Sequence, residues 1–226
     1  IHASRHVWGD QSEEKRDEST LEIVVDEPTW SKTATESLGI RPGDFISFDP
    51  RTVVTDSGFV KSRHLDDKAS SAVLLTLARE VAAGRVRPGR KVTLLFTVYE
   101  EVGHGASPLA RMEMEDLLAV DMGCVGDDLL CHEDMVSICA KDSGGPYDFE
   151  FTNELVALAQ KLGLPYAVDV YPGYSSDATA ALRAGLEARC ALCGQGVFAS
   201  HGYERTHVRG LMATLALVTA VAENHG

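Results

Sequence analysis

Apolar positions recur along the chain with two different rhythms, and the change of rhythm divides the sequence near residue 60. Before that point the apolar runs are short. Leu21-Glu22-Ile23-Val24-Val25-Asp26 and Asp44-Phe45-Ile46-Ser47-Phe48 read as strands, separated by the turn formers Pro28, Gly39, Pro42-Gly43 and Pro50. Ahead of them, Asp10 to Thr20 is almost wholly polar and charged and predicts a solvated loop. Beyond residue 60, helical and strand patterns alternate. Ala69, Ala72, Val73, Leu75, Ala78 and Val81 predict a helix over 66–83, ended by Gly84. The run from Lys91 to Val98 is continuously apolar, the pattern of a strand buried on both faces. Further strands are expected at 116–121, 135–140, 166–171 and 187–193, and further helices at roughly 150–162, 176–184 and 206–223. This alternation predicts an α/β protein, a three-layer α/β/α sandwich around a mostly parallel mixed sheet, with a small β-rich part ahead of it.

Composition narrows the function classes. With 226 residues the chain suits one or two domains, and 44% hydrophobic with 24% charged residues is ordinary for a globular protein. No apolar run approaches the roughly 20 residues that a bilayer crossing needs. A formal charge of −13 argues against nucleic acid or an anionic membrane as partner and suits a protein that gathers divalent cations. Five cysteines make an odd, thinly spread set, which argues for a reducing cytoplasm and against a disulfide scaffold. Cys190-Ala-Leu-Cys193 lies in a strand-like run and has no second pair, so neither redox nor zinc use is expected of it.

Four features carry possible chemistry. Glu100-Glu101 follows the 91–98 run and precedes the loop Gly103-His104-Gly105. In open α/β sheets that end of a strand is where ligands bind. Asp66-Asp67 opens the 66–83 helix, where an acid also serves simply as N-cap and dipole partner. Asp121 ends the strand-like Leu117-Leu-Ala-Val-Asp121. His201 lies between the last strand and the last helix, with His207 as an alternative. Each has a plain structural explanation alone. Together they set Asp, Glu-Glu, Asp and His at four successive element ends. Oxygen-rich ligation with an imidazole suits a pair of hydrolytic metal ions, and an unligated glutamate beside them suits a general base.

The ordered set His64-Leu-Asp-Asp-Lys68, Val98-Tyr-Glu-Glu-Val-Gly103, Ala119-Val-Asp121, Ser175-Ser-Asp-Ala178 and Ser200-His201, with Leu38-Gly-Ile-Arg-Pro-Gly-Asp44, resembles the tetrahedral (TET) aminopeptidases, also called glutamyl aminopeptidases. The resemblance covers nearly the whole chain. It implies a metal-dependent exopeptidase with two divalent ions per subunit, zinc with cobalt or manganese as alternatives. Asp66 would bridge the ions, Glu101 and His201 would complete one site, Asp121 would serve the other, and Glu100 would be the catalytic base. His104 could reach a substrate; Asp177 most simply caps the helix from 178, and only the resemblance puts it near the site. The resemblance also implies a β-rich dimerisation domain inserted in the catalytic domain, and a homo-oligomer built from dimers. Residues 1–60 would be part of that inserted domain and 61–226 the catalytic domain, whose N-terminal part would lie upstream with a second metal histidine in a His-x-Asp motif. Lys68, Tyr99 and the short Gly103-His104-Gly105 loop depart from the usual family pattern. They leave open a specialised small amide or acylated dipeptide as substrate. The missing His-x-Asp motif leaves open a catalytically incomplete scaffold subunit.

Overall fold

The computed structural model describes residues 6, 15, 17 and 19–224. The chain divides into two units, Ile1–Ser47 and Phe48–Gly226. In the first, Ser31 opens a short helix α1 (Lys32–Glu36) by accepting a hydrogen bond from the Ala34 N–H at 3.2 Å, the usual work of an N-cap serine. The Arg41-Pro42-Gly43-Asp44 turn is closed twice. The Asp44 N–H reaches the Arg41 carbonyl at 3.2 Å, and the Arg41 N–H reaches the Asp44 carboxylate at 2.9 Å. The strands expected over 21–26 and 44–48 do not form, and among its described residues this unit contains no strand. An apolar run favours extended backbone, but a strand exists only where a second strand takes up its hydrogen bonds. The loop expected at 10–20 falls largely outside the described residues.

The second unit is built on one mixed sheet. Its strands are β1 (Val53–Val54), β2 (Phe59–Ser62), β3 (Asp116–Val120), β4 (Gly123–Val125), β5 (Val136–Asp142), β6 (Gly145–Pro146), β7 (Tyr166–Val170), β8 (Arg189–Phe198) and β9 (Glu204–His207). The central strand is β8, which pairs in parallel with β3 and β4 and antiparallel with β5 and β9. Strand β7 adds in parallel to β5, and β2 joins β9 to β1. Five of the eight pairings among the described residues are antiparallel and three are parallel. The expectation of a mostly parallel sheet is therefore wrong. It came from strands separated by helices, whereas β1–β2, β5–β6 and β8–β9 are joined by turns too short for a parallel crossover.

Side chains alternate across β8 with the strand period of two. Ala191 and Cys193 face one layer, with Val73 and Leu77 of helix α2 (Leu65–Ala82), Phe151 and Leu155 of α3 (Phe149–Lys161), and Leu217 and Val218 of α5 (Val208–Glu223). Cys190 and Leu192 face the other layer, with Ala178 and Ala181 of α4 (Asp177–Arg183) and Leu109 of a 3-10 segment, Ser107–Arg111. At one end of β3 and β8, Arg189 pairs with Asp116 at 2.7 Å and with Glu154 at 2.7 Å, and Arg90 meets Asp116 at 2.8 Å. The expected strand over 91–98 forms no ladder, and Val98 is 72% exposed. Among the described residues no helix is long and apolar enough to cross a membrane.

Candidate metal centre

The site is assembled from segments that follow β2, β3 and β8 and from the loop over 97–106. Strand β2 ends at Ser62, and the chain passes His64 in the left-handed region (φ 64°) into the first residues of α2. There Asp66 (φ −83°, ψ 104°) and Asp67 (φ −123°, ψ 45°) are not helical, so both carboxylates stand ahead of the first regular turn. Asp67 caps that turn by accepting from the Ser70 N–H at 3.4 Å. Glu100 and Glu101 sit in a single 3-10 turn, Glu100–Val102, between Tyr99 (φ 69°) and Gly103 (φ 82°). One residue brackets this loop: Asp177 accepts from the Ala106 N–H at 2.7 Å on one oxygen and from the Thr97 hydroxyl on the other. Gly105 lies inside the bracket, where a Cβ would come within 2.8 Å of Asp177 Oδ1 and 2.9 Å of the Glu100 nitrogen. Asp121 directly follows β3; its N–H still reaches the Cys193 carbonyl at 3.0 Å, and its Oδ1 accepts from the Met122 N–H at 2.6 Å. His201 lies in the β8–β9 turn (φ 62°).

These segments bring two ligand groups together. His201 Nε2 is 3.2 Å from Glu101 Oε2 and 3.3 Å from Asp66 Oδ2. Asp66, Asp67 and Asp121 form the second group, with one oxygen from each within 4.8 Å of the others. Asp66 belongs to both. Burial is the main cause of raised pKa values here, with the neighbouring carboxylates adding to it. Asp66 is pushed up to about 7, chiefly by burial, then by Asp121 and Glu101. Glu100 is pushed up to about 7 by burial, then by Asp177 and Glu101. Burial and nearby carboxylates likewise raise Asp67 and Asp121. Carboxylates crowded out of water in this way repel one another when ionised, and a divalent cation among them removes the conflict. The donor sets, two carboxylates with an imidazole and three carboxylates, fit such an ion.

Two participants were given no role in the site by the sequence reading. Asp67 belongs to the second group, and Glu204, only 2% exposed, holds Asp66 and His201 of the first. Glu204 Oε2 accepts from the Asp66 N–H and Oε1 from the His201 N–H, both at 3.0 Å. A glutamate shortly after His201 was the available signal, but nothing in the sequence marks it as buried. His207, the alternative to His201, is committed elsewhere: its Nε2 meets the Ser57 carbonyl at 2.9 Å and its Nδ1 accepts from the Arg209 N–H at 3.0 Å. His104 stacks on Tyr99 with ring centroids 5.1 Å apart and joins neither ligand group. Both oxygens of Asp177 are occupied in holding the loop. All five cysteines are free, and burial raises the thiols of Cys190 and Cys193 to about 11 and about 12.

A family model, the M42 glutamyl aminopeptidases, matches residues 1–217. The chain belongs to the M42 family. YhfE of Bacillus subtilis (strain 168), provisionally named an aminopeptidase, is 44% identical over 215 residues, covering 95% of this chain and 62% of YhfE. Among solved structures, the PhTET1 dodecamer is 25% identical with a TM-score of 0.76, over 85% of this chain and 59% of that one. Another, the Pyrococcus horikoshii TET1 peptidase, described as assembling into a tetrahedron or a large octahedral shell, shares the fold with a TM-score of 0.78 at 24% identity. It covers 94% of this chain and 65% of its own. The chain thus spans about three fifths of the length of these M42 relatives.

Proposed function

We propose that this M42 chain serves a metal-dependent aminopeptidase that works with two divalent ions. The observation carrying this reading is the sharing of Asp66 between two adjacent ligand groups, Asp66–Glu101–His201 and Asp66–Asp67–Asp121. In it, Asp66, Glu101 and His201 hold one ion, and Asp66 and Asp121 contribute to the other. Bound there, such ions supply Lewis acidity toward a scissile carbonyl and toward water. Glu100 stands in the same 3-10 turn as Glu101 but in neither ligand group, which leaves its carboxylate free for proton transfer. A carboxylate so placed can take a proton from attacking water and return it to the leaving amine. The substrate is a peptide with a free N-terminus, and the protein is a homo-oligomer, as the solved M42 relatives are described.

Glu100→Gln tests the assignment. Removing the base while keeping the ligands is expected to lower kcat for aminoacyl-amide hydrolysis by roughly 100-fold or more with metal content unchanged. Full activity in that variant would exclude Glu100 as the base. The parent should cleave unblocked substrates and leave N-acetylated ones intact; equal cleavage of both would favour the acylated-dipeptide substrate instead.

A further inference from the structure

Asp142, at the end of β5, is a buried carboxylate that belongs to neither ligand group. Its Oδ1 accepts from the Gly144 N–H at 2.7 Å, and its Oδ2 accepts from the Tyr147 hydroxyl at 2.8 Å and from the Thr179 hydroxyl. The single hydrogen of the Tyr147 hydroxyl goes to Asp142, so in its 2.7 Å contact with Ser176 the serine donates. Asp142, Tyr147, Ser176 and Thr179 are all buried. Ser176 is the N-cap of α4, where a serine hydroxyl ordinarily accepts from a backbone N–H of the first turn; here its side chain makes no such bond. The turn after β5 presses on the same segment. The Ser143 N–H donates to the Tyr174 carbonyl at 2.9 Å, and a Cβ on Gly144 would stand 2.3 Å from Thr179 Cγ2. The hydroxyls at 176 and 179 are thus both tied to Asp142 and Tyr147. Between them in sequence stands Asp177, which accepts from Thr97 and Ala106. Ala178 and Ala181 already seat this seven-residue helix by apolar packing. A fully satisfied buried polar network adds something else, a single defined orientation.

We propose that Asp142 and Tyr147 are positioning residues for Glu100. Through Thr179 and Ser176 they fix the first turn of α4, so that Asp177 holds the loop over 97–106 where the Glu100 carboxylate meets the attacking water. This deepens the proposed function and rests on its assignment of Glu100 as the base. A displacement of about 1 Å, caused far from the chemistry, can cost roughly 100-fold in rate.

The test is Tyr147→Phe in the whole protein, which keeps the ring and removes only the hydroxyl. It is read by amide hydrogen exchange without metal and by kcat for aminoacyl-amide hydrolysis at saturating zinc. The variant is expected to lose exchange protection at Ala106, whose N–H goes to Asp177, while the amides of β8 stay as protected as in the parent. Its kcat should fall about 10–100-fold with KM little changed. Added to Asp177→Asn, Tyr147→Phe should cost nothing further, because it acts through that residue. Ser176→Ala leaves all three donors to Asp142 in place; it should show the same pattern with a smaller fall in kcat, and it carries the test if Tyr147→Phe does not fold. Protection at Ala106 and kcat both like the parent's would overturn the role of Asp142 and Tyr147 and leave Glu100 standing as the base. Additive losses with Asp177→Asn would overturn it too, as would protection lost throughout β8, since the network would then serve the fold. A parent whose activity survives Glu100→Gln overturns both readings together.

Discussion

At the scale of single residues, Glu204 holds two members of one ligand group, Asp66 and His201, without belonging to either group. One oxygen takes the Asp66 N–H and the other the His201 N–H, so the two ligands that approach within 3.3 Å are positioned by a single side chain. Replacing it with glutamine keeps the shape but turns one acceptor into an N–H donor, which must then face a backbone N–H. Glu204→Gln is therefore expected to weaken the ion held by Asp66, Glu101 and His201 by roughly 10–100-fold, read by zinc competition against a chromogenic chelator. Unchanged affinity would mean that the turn holds His201 without it. This contact joins residues 138 positions apart in sequence, which is why Glu204 was not legible as a site residue. Asp66, Glu101, Asp121 and His201 were legible for the opposite reason: each stands at the end of an apolar pattern, where a change from apolar to acidic or imidazole is visible locally.

Among the elements, the tightest constraint is the contact of β3 with β8. A Cβ on Gly194 would stand 1.6 Å from the Asp121 carbonyl oxygen, so β8 passes the end of β3 with room for glycine alone. Gly194→Ala must push the strand ends apart. It is expected to lower unfolding free energy by about 3 kcal/mol or more, measured by urea denaturation, and to displace Asp121 with it. A loss under about 1 kcal/mol would show that the loop after β3 yields freely. The long elements were readable because their patterns are long: α2, α3, α5 and the start of β8 follow the apolar periods. Strand β9, Glu204-Arg-Thr-His207, contains no aliphatic residue and owes its conformation to pairing with β2 and β8. The run over 91–98 is the reverse case, an apolar sequence without a ladder. Pattern reports what a segment would bury, whereas pairing and direction depend on which strand lies beside it, and the mainly antiparallel pairing escaped the sequence reading on that account.

For the molecule as a whole, the crowded carboxylates set the relation between pH and stability. Asp66 and Glu100 titrate near 7 when folded, and burial raises Asp67 and Asp121 as well, against roughly 4 for exposed carboxyls in an unfolded chain. Between about pH 4 and about 7 the metal-free folded chain thus holds more protons than the unfolded one. Its stability falls as pH rises through that window. A divalent ion favours the ionised forms and opposes the fall. Urea midpoints of the metal-free protein should be lower at pH 7.5 than at pH 5, and added zinc should raise the value at pH 7.5 more than at pH 5. A midpoint that rises with pH in the absence of ions would contradict the electrostatic account.

Asp177 gives the loop over 97–106 the form of a closed handle. Both of its feet, Thr97 and Ala106, rest on one carboxylate, and inside it Gly105 leaves no room for a Cβ beside the Glu100 nitrogen. Changes at the outward tip, from Val102 to His104, can alter what the handle meets in solution without lifting its feet. The tip is therefore free to diverge while the glutamates at the base stay in place.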